Sequence, residues 1–176
     1  MIIDLYSIDV AILQFINLGF HNNILNSIAS FITIFGWAYV AIIIGVLLYF
    51  ISKNKKTKNY AKLLIISTIV AWLTIEAVKL GVHRIRPYDV ITPLYVLAHE
   101  SSYSFPSGHT TTATVLFYTL SKRYGHWWLF ILIPVLVALS RMYLGVHYPS
   151  DVLGGFIFGY IVSYLCEYFM KTKNLL

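Results

Sequence analysis

Residues 10–52 read VAILQFINLGFHNNILNSIASFITIFGWAYVAIIIGVLLYFIS and contain no Asp, Glu, Lys or Arg. A helix that crosses the hydrocarbon core of a bilayer needs roughly 20 apolar residues, so this stretch is long enough for two. The whole chain has a similar character, because 59% of its residues are hydrophobic and only 11% are charged. Soluble domains carry about 25% charged residues. The composition therefore predicts an all-α membrane protein that forms one domain over residues 1–176.

The apolar runs predict a polytopic membrane helix bundle with six transmembrane helices behind a short N-terminal interfacial helix. The interfacial helix is expected at about residues 8–17. The six spans are expected at residues 20–35, 37–52, 61–85, 106–120, 127–144 and 149–170. Gly36 separates the first two, and the third ends before Pro87, because the residue before a proline is pushed out of helical geometry. Residues 88–105 then form a long polar connection, and connections of that length are usually functional or disordered.

The positions of the basic residues indicate how such a bundle is oriented. Nine of the thirteen lie in short connections, at segment edges or in the C-terminal tail: Lys53, Lys55, Lys56, Lys58, Lys62, Lys122, Arg123, Lys171 and Lys173. Six spans place residues 53–59, residues 121–126 and both termini on one side, predicted to be cytoplasmic because cytoplasmic loops are enriched in Lys and Arg. This distribution argues against a nucleic-acid partner despite the net charge of +6. Residues 1–6 lack the basic start and the cleavage site of a signal peptide.

The first of three polar clusters is KLGVHRIRP, residues 79–87. Lys79 and Arg86 are seven residues apart, so they share one face of a helix. A charged residue inside a span costs at least ~2.5 kcal/mol at the bilayer centre, so it normally faces a polar cavity or a partner, and Glu76 is a candidate partner for Lys79. Side chains that extend to the lipid headgroups are the alternative for this cluster.

The second cluster is Pro106-Ser107-Gly108-His109, at the predicted start of a helix. A helix N-terminus offers free N–H groups and a positive dipole end, which suit a phosphate group. Gly108 lets an anion approach the backbone closely. The alternative is an ordinary N-cap serine in a turn.

The third cluster runs from Ser140-Arg141 to Asp151 and contains His147. Asp151 lies four residues after His147, close enough to hold one ring nitrogen and leave the other unprotonated. A histidine oriented in this way is a general base or a nucleophile. The alternative is an acidic residue that satisfies a helix N-terminus beside a surface histidine.

The three clusters are expected at the same membrane surface, opposite the basic loops. Together they supply cations, two histidines, a helix N-terminus and an orienting carboxylate, and phosphoryl transfer needs mostly such positioning and charge stabilisation. Metal and cofactor are not expected, because three of the seven acidic residues, Asp4, Asp9 and Glu167, lie near the chain ends. The single cysteine, Cys166, excludes an intrachain disulfide and a site built from several cysteines.

These clusters resemble the signature of the type-2 phosphatidic acid phosphatase family, membrane lipid phosphatases related to vanadium haloperoxidases. The signature is Lys, six residues, Arg-Pro; then Pro-Ser-Gly-His; then Ser-Arg, five residues, His, three residues, Asp. All of its fixed positions occur here in order and with the family spacing, from Lys79 to Asp151. The resemblance covers the third to sixth predicted spans, whereas the first 60 residues match only in being apolar.

The resemblance implies a role for each matched residue, in a reaction without a metal. His147 would attack phosphorus and form a phosphohistidine, with Asp151 holding its ring, and His109 would protonate the leaving oxygen and then activate water. Five residues would bind the phosphoryl oxygens: Lys79, Arg86, Ser107, Gly108 and Arg141.

The substrate is the least defined part of this hypothesis. Small relatives resemble polyprenyl-pyrophosphate phosphatases that recycle the carrier lipid of cell-envelope synthesis, and an outward-facing site fits that role. Phosphatidylglycerophosphate and phosphatidic acid stay open, as does the oligomeric state. Arg84, His99 and Glu100 are candidates for contacting a second phosphate or a leaving group. Equally, His83 and Arg84 could be interfacial residues with no role in the site. A haloperoxidase is disfavoured because those relatives are soluble, and a non-enzymatic lipid transporter because binding alone needs no oriented nucleophile.

Overall fold

A computed structural model describes residues 4–176 of the chain, and every regular element in that range is helical. The elements are α1 (Leu5–Gly19), α2 (Asn23–Ile32), a 3₁₀ turn (Thr33–Gly36), α3 (Ala38–Ile51), α4 (Lys55–Val82), α5 (Pro87–Val90), α6 (Gly108–Tyr124), α7 (Trp127–Tyr143) and α8 (Pro149–Thr172). The prediction of an all-α chain is confirmed for this range. Residues 1–3, which are half of the N-terminal segment that lacks the features of a signal peptide, lie outside the described residues.

Two predicted boundaries of the third span are wrong. The lysine-rich residues 53–59 do not form a loop, because α4 already begins at Lys55, where the Asn54 side chain accepts a hydrogen bond from the Thr57 amide at 3.3 Å. At its other end α4 stops at Val82 rather than Ile85. His83 has a φ of 52°, in the left-handed region, and this conformation ends the helix. Lys79 and Arg86 are therefore not on one helix face.

The described helices contain two segments long and apolar enough to cross a membrane, Lys55–Val90 and α8. A third is possible if Asn23–Gly36 and Ala38–Ile51, which meet at 58°, count as one span. The helix α2 has ten residues and is thus about 15 Å long, half of the roughly 30 Å hydrocarbon thickness. The count of six spans stays a prediction.

The contacts of the N-terminal helices do not support a crossing by residues 20–35. The Asn22 amide donates to the Tyr143 hydroxyl at 3.2 Å, and Thr33 accepts from Arg141 at 2.8 Å. Both ends of the first predicted span are thus tied to the last turn of α7. The Asn17 side chain of α1 donates to the Tyr143 carbonyl at 2.7 Å, so α1 lies at this end of the bundle as well.

The opposite end of the bundle gathers the basic chain segments. Arg123, in the last turn of α6, donates to the Thr57 hydroxyl in the first turn of α4 at 2.9 Å. Tyr60 and Leu63 of α4 pack against Met170 near the end of α8. The basic connections and the C-terminal tail therefore meet, as their charges predict.

Glycines hold α6 and α8 in backbone contact. A Cβ atom on Gly155 would lie 2.8 Å from both the Ser107 carbonyl oxygen and the Thr110 Cβ, and one on Gly159 would lie 2.7 Å from the Thr111 carbonyl oxygen. Real Cβ atoms do not approach heavy atoms that closely, so any larger residue forces the helices apart. The seam fixes the start of α6 against the start of α8.

We expect Gly155→Ala to lower the free energy of unfolding by about 1–3 kcal/mol, the usual cost of overpacking a tight contact. Thermal unfolding in detergent measures the change. Gly81→Ala is the matched control, because a Cβ at Gly81 in α4 meets nothing within 4 Å. That control should be neutral or slightly stabilising, since alanine favours helix over glycine. Equal midpoints for both variants would contradict a tight seam.

Candidate active site

His147 and Asp151 form a buried pair between the end of α7 and the first turn of α8. Both side chains are fully inaccessible to solvent, and Nδ1 of His147 lies 3.4 Å from Oδ2 of Asp151. Pro149, at the first position of α8, has the fixed φ that suits a helix start and brings Asp151 round toward the histidine. The predicted carboxylate-oriented histidine is present.

The second ring nitrogen of His147 faces a cation. Nε2 lies 3.3 Å from Nη1 of Arg86, which also donates to the Val146 carbonyl at 3.0 Å. Since a guanidinium only donates, Nε2 accepts, and Nδ1 carries the proton toward Asp151. Burial lowers the pKa of His147 to about 4, even though the hydrogen bond with Asp151 raises it. The imidazole is therefore neutral near pH 7, as a nucleophile must be.

Asp151 is held by more partners than His147. Its Oδ2 accepts from the Ser104 hydroxyl and from the Tyr148 amide, and its Oδ1 accepts from Nη1 of Arg84 at 2.6 Å. Two distant segments, at Arg84 and Ser104, and the backbone at the start of α8 thus fix one carboxylate. It cannot rotate without breaking several charge-assisted hydrogen bonds.

Lys79 and Arg86 converge on Ser102, in the connection between α5 and α6. Nζ of Lys79 donates to the Ser102 hydroxyl at 2.8 Å, and Nε of Arg86 donates to the Ser102 carbonyl at 2.7 Å. Glu76 lies 3.7 Å from Nζ of Lys79, which confirms the expected ion pair. The turn after α4, rather than a shared helix face, brings the two cations together.

Arg141 approaches the same region from the end of α7. Its side chain is 3% exposed, donates to Thr33 and forms a short ion pair with Glu100. Nε of Arg141 and Nε2 of His109 are buried and make no hydrogen bond to any of the residues that the structure describes. A phosphoryl group bound between the cations offers oxygens that can pair with such atoms.

The Pro106–His109 cluster begins α6 as predicted. The buried Ser107 is its N-cap and accepts from the Thr110 amide at 3.4 Å and the Thr110 hydroxyl at 3.1 Å. Gly108 and His109 line a cavity, and Gly36 packs so closely that a Cβ there would lie 2.7 Å from the Cβ of His109. The contacts of Ser107 are those of a cap, and its role on phosphate stays a prediction.

Glu100 occupies the centre of these cations. Its Oε2 accepts from Nη2 of Arg86 at 2.7 Å, and its Oε1 pairs with Arg141 and lies 3.5 Å from Nδ1 of His109. Burial raises the pKa of Glu100, but the charge of Arg141 and the histidines outweighs it and lowers the pKa to about 2. The carboxylate is therefore ionised at any physiological pH.

Glu100 also borders three adjoining cavities. One of about 200 Å³ is lined by Trp37, Trp72, Lys79 and His109, and a second of about 550 Å³ reaches Arg141. The third, of about 350 Å³, is lined by Arg84, Arg86 and Ser102. The first combines aromatic walls with the polar groups of the site. Such a mixture suits a phosphate attached to an apolar chain.

Several residues of the site were missed or left open by the sequence. Arg84 is not merely an interfacial residue, because it forms ion pairs with Asp9 and Asp151, both at 2.6 Å. Asp9 carried a signal, since an acidic residue in an apolar run is costly. The sequence gives no signal for three other polar residues of the site, because serines and threonines are common throughout such chains; they are Thr33, Ser102 and Ser104.

Comparison with known proteins decides the family. The PAP2 superfamily matches residues 59–175. The chain belongs to the PAP2 superfamily. An undecaprenyl-diphosphatase of Sulfolobus acidocaldarius is 36% identical over 80% of this chain and 68% of its own length, and undecaprenyl-diphosphatase BcrC of Bacillus subtilis is 31% identical over 90% and 80%. The crystal structure of a PAP2-type phosphatidylglycerolphosphate phosphatase from Bacillus subtilis has a TM-score of 0.75 and 32% identity, covering 96% of this chain and 87% of that one.

The protein is thus a PAP2 hydrolase that acts on phosphate esters in a membrane, and the resemblance drawn from its sequence is confirmed. Within residues 4–176 of this PAP2 protein, His, Cys, Asp and Glu form no group of three or more that could hold a metal ion.

Proposed function

We propose that this PAP2 phosphatase hydrolyses a polyprenyl diphosphate of the undecaprenyl type through a phosphohistidine on His147. One observation carries the mechanism. The buried His147 ring is held by Asp151 on one side, and its Nε2 lies 3.3 Å from Nη1 of Arg86 on the other. If Arg86 binds a phosphoryl oxygen, as we propose, the phosphorus atom lies within reach of Nε2.

In the first half of the reaction, Nε2 of His147 forms a bond to phosphorus as the bond to the bridging oxygen breaks. Protonated His109 donates its proton to that oxygen. The imidazole gains positive charge, which Asp151 stabilises, while Arg86, Arg141 and Lys79 stabilise the phosphoryl oxygens.

In the second half, neutral His109 takes a proton from a water molecule whose oxygen attacks phosphorus. The P–N bond breaks, inorganic phosphate leaves and His147 returns to neutral imidazole. General acid–base assistance of this kind contributes typically 10²- to 10⁴-fold to the rate.

Two relatives support the diphosphate substrate, because both are named undecaprenyl-diphosphatases and align with most of this chain. A phosphatidylglycerophosphate is the second candidate, supported by the solved structure that covers 96% of the chain. Both lipids present a phosphate on an apolar anchor, as the aromatic-walled cavity requires.

In this proposal the site faces the non-cytoplasmic side. The support is that the basic connections meet at the other end of the bundle, and basic loops are retained in the cytoplasm. The C-terminus is then cytoplasmic. In this proposal five helices, α3, α4, α6, α7 and α8, cross the membrane, and α1 and α2 stay at the site end. The six spans with two cytoplasmic termini that the sequence predicts are the alternative topology.

The deciding experiment is phosphate release by detergent-purified protein, with EDTA present, on four substrates. They are a polyprenyl diphosphate, phosphatidylglycerophosphate, phosphatidic acid and a soluble phosphate ester. The highest kcat/KM is expected for the polyprenyl diphosphate. A preference for phosphatidylglycerophosphate would replace the proposed substrate, and loss of all activity with EDTA would overturn the metal-independent mechanism.

A further inference from the structure

Arg84 links the N-terminal helix to the catalytic carboxylate. One amino group of its guanidinium donates to Oδ1 of Asp151 and the other donates to Oδ2 of Asp9 in α1, both at 2.6 Å. The guanidinium also lies over the Tyr148 ring, 4.0 Å from its centroid. Its side chain is 23% exposed, so it is largely enclosed.

Asp9 is a built part of this arrangement rather than a chance neighbour. The residue is 6% exposed, and besides Arg84 it accepts from the Ser150 amide at 2.9 Å and from the Ser150 hydroxyl. Ser150 in turn accepts from Arg84 at 2.6 Å. A buried carboxylate is costly unless it is paired. The partners of Asp9 are Arg84, which also binds Asp151, and Ser150, which lies next to Asp151 in the chain.

We propose that Arg84, anchored by Asp9, is a positioning residue that holds Asp151 so that its Oδ2 faces His147. The proposal rests on the proposed function. The guanidinium binds Oδ1, which leaves Oδ2 for Nδ1 of His147. Its planar fork of N–H groups holds two carboxylates in a more fixed orientation than the three rotatable donors of an ammonium do. Nη1 of Arg84 donates to Asp151 and Ser150 and Nη2 donates to Asp9, so we assign Arg84 to positioning rather than to a second phosphate.

Kinetics of Arg84→Gln separate positioning from phosphate binding. A misplaced catalytic group costs up to about 10²-fold, so we expect kcat to fall about 10- to 100-fold with KM little changed. The loss should be equal on a diphosphate and on a monophosphate lipid. A raised KM confined to the diphosphate would overturn the proposal in favour of a second phosphate site, and an unchanged kcat would overturn it outright.

Conservative variants and a double-mutant cycle exclude a merely structural role. Arg84→Lys should recover part of kcat, and Asp9→Asn should lower kcat less than Arg84→Gln does. Because the residues act as one unit, Asp9→Asn should add almost nothing in the Arg84→Gln background. Additive losses would contradict the linkage.

Arg123→Gln is the matched control, because Arg123 is a hydrogen-bonded arginine at the opposite end of the bundle. It should keep the native kcat. If native protein releases phosphate from no ester, the proposed function fails; if native protein is active and Arg84→Gln retains its kcat, only the positioning role fails.

A separate observation concerns Glu100, whose carboxylate pairs with both arginines expected to bind phosphate. The geometry points to Glu100 as an internal ligand of the phosphate pocket, which a substrate phosphoryl group displaces. A carboxylate and a phosphoryl group both offer negatively charged oxygens to guanidinium N–H groups. Glu100 and a phosphoryl group therefore compete for the same hydrogen bonds. Phosphate then binds only to the fraction of the protein in which Glu100 has left the arginines, and this fraction limits the apparent affinity for phosphate.

Glu100→Gln tests this competition while preserving side-chain shape. The inhibition constants of inorganic phosphate and orthovanadate should fall at least about 5-fold, because a neutral amide competes less well for the guanidinium groups. If the variant is too slow to assay, phosphate should raise its unfolding temperature more than that of native protein. Asp89→Asn is the control, since Asp89 is an exposed carboxylate in the adjoining α5. Unchanged or weaker binding of both anions by Glu100→Gln would overturn the proposal.

Discussion

His147→Ala is expected to abolish phosphate release from every substrate, lowering kcat by about 10³-fold or more, as loss of a covalent nucleophile does elsewhere. No other histidine lies between Asp151 and Arg86 among residues 4–176 as His147 does, so no neighbour can take over the attack. Phosphate release and covalent labelling by phosphate both report the loss.

Folding of the His147→Ala protein needs its own check, because the variant leaves Asp151 with one partner fewer. Asp151 keeps Arg84, Ser104 and the Tyr148 amide, so the unfolding temperature should change only modestly. His126→Ala, at the start of α7 near the other end of the bundle, serves as the matched control and should remain active. Full activity of a folded His147→Ala protein would refute the nucleophile.

His109→Gln is expected to lower hydrolysis of a lipid phosphate about 10²- to 10⁴-fold, the range for losing a general acid and base. The two halves of the reaction should respond differently. An ester with a good leaving group, such as p-nitrophenyl phosphate, needs little protonation, so His147 should still be phosphorylated, whereas the later attack by water should stay slow.

Phosphoenzyme should therefore accumulate in His109→Gln with the activated ester. Phosphohistidine is lost in acid and stable in alkali, so an alkali-stable, acid-labile label on the protein identifies it. The double variant His109→Gln, His147→Ala should carry no label. Labelling of that double variant, or none in His109→Gln, would assign the roles differently.

Part of the geometry of the site was predictable from sequence because those residues lie in short local patterns. The four-residue spacing of His147 and Asp151 sets their contact through a single helix start, and Pro106 to His109 mark the start of another. Local geometry fixes such contacts, and no knowledge of the tertiary fold is needed.

The partners of Arg84 and Glu100 could not be predicted in the same way. Asp9 and Arg84 are 75 residues apart, and their contact exists only because α1 lies across the start of α8. Glu100 reaches Arg141 from a connection without regular structure, whose course no periodicity reports. The end of α4 was missed for a related reason, because the left-handed conformation of His83 has no marker in the residue type.

The glycine seam between α6 and α8 has a consequence for how such proteins diversify. His109 lies in the first turn of one of these helices and Asp151 lies in the first turn of the other, so the spacing of the proposed acid and of the carboxylate that holds the proposed nucleophile depends on one helix pair. The aromatic wall is formed by Trp37, between the 3₁₀ turn and α3, and by Trp72 of α4, all outside that pair. If the residues act as proposed, substitutions in the wall would change which lipid is accepted while the reacting groups keep their spacing.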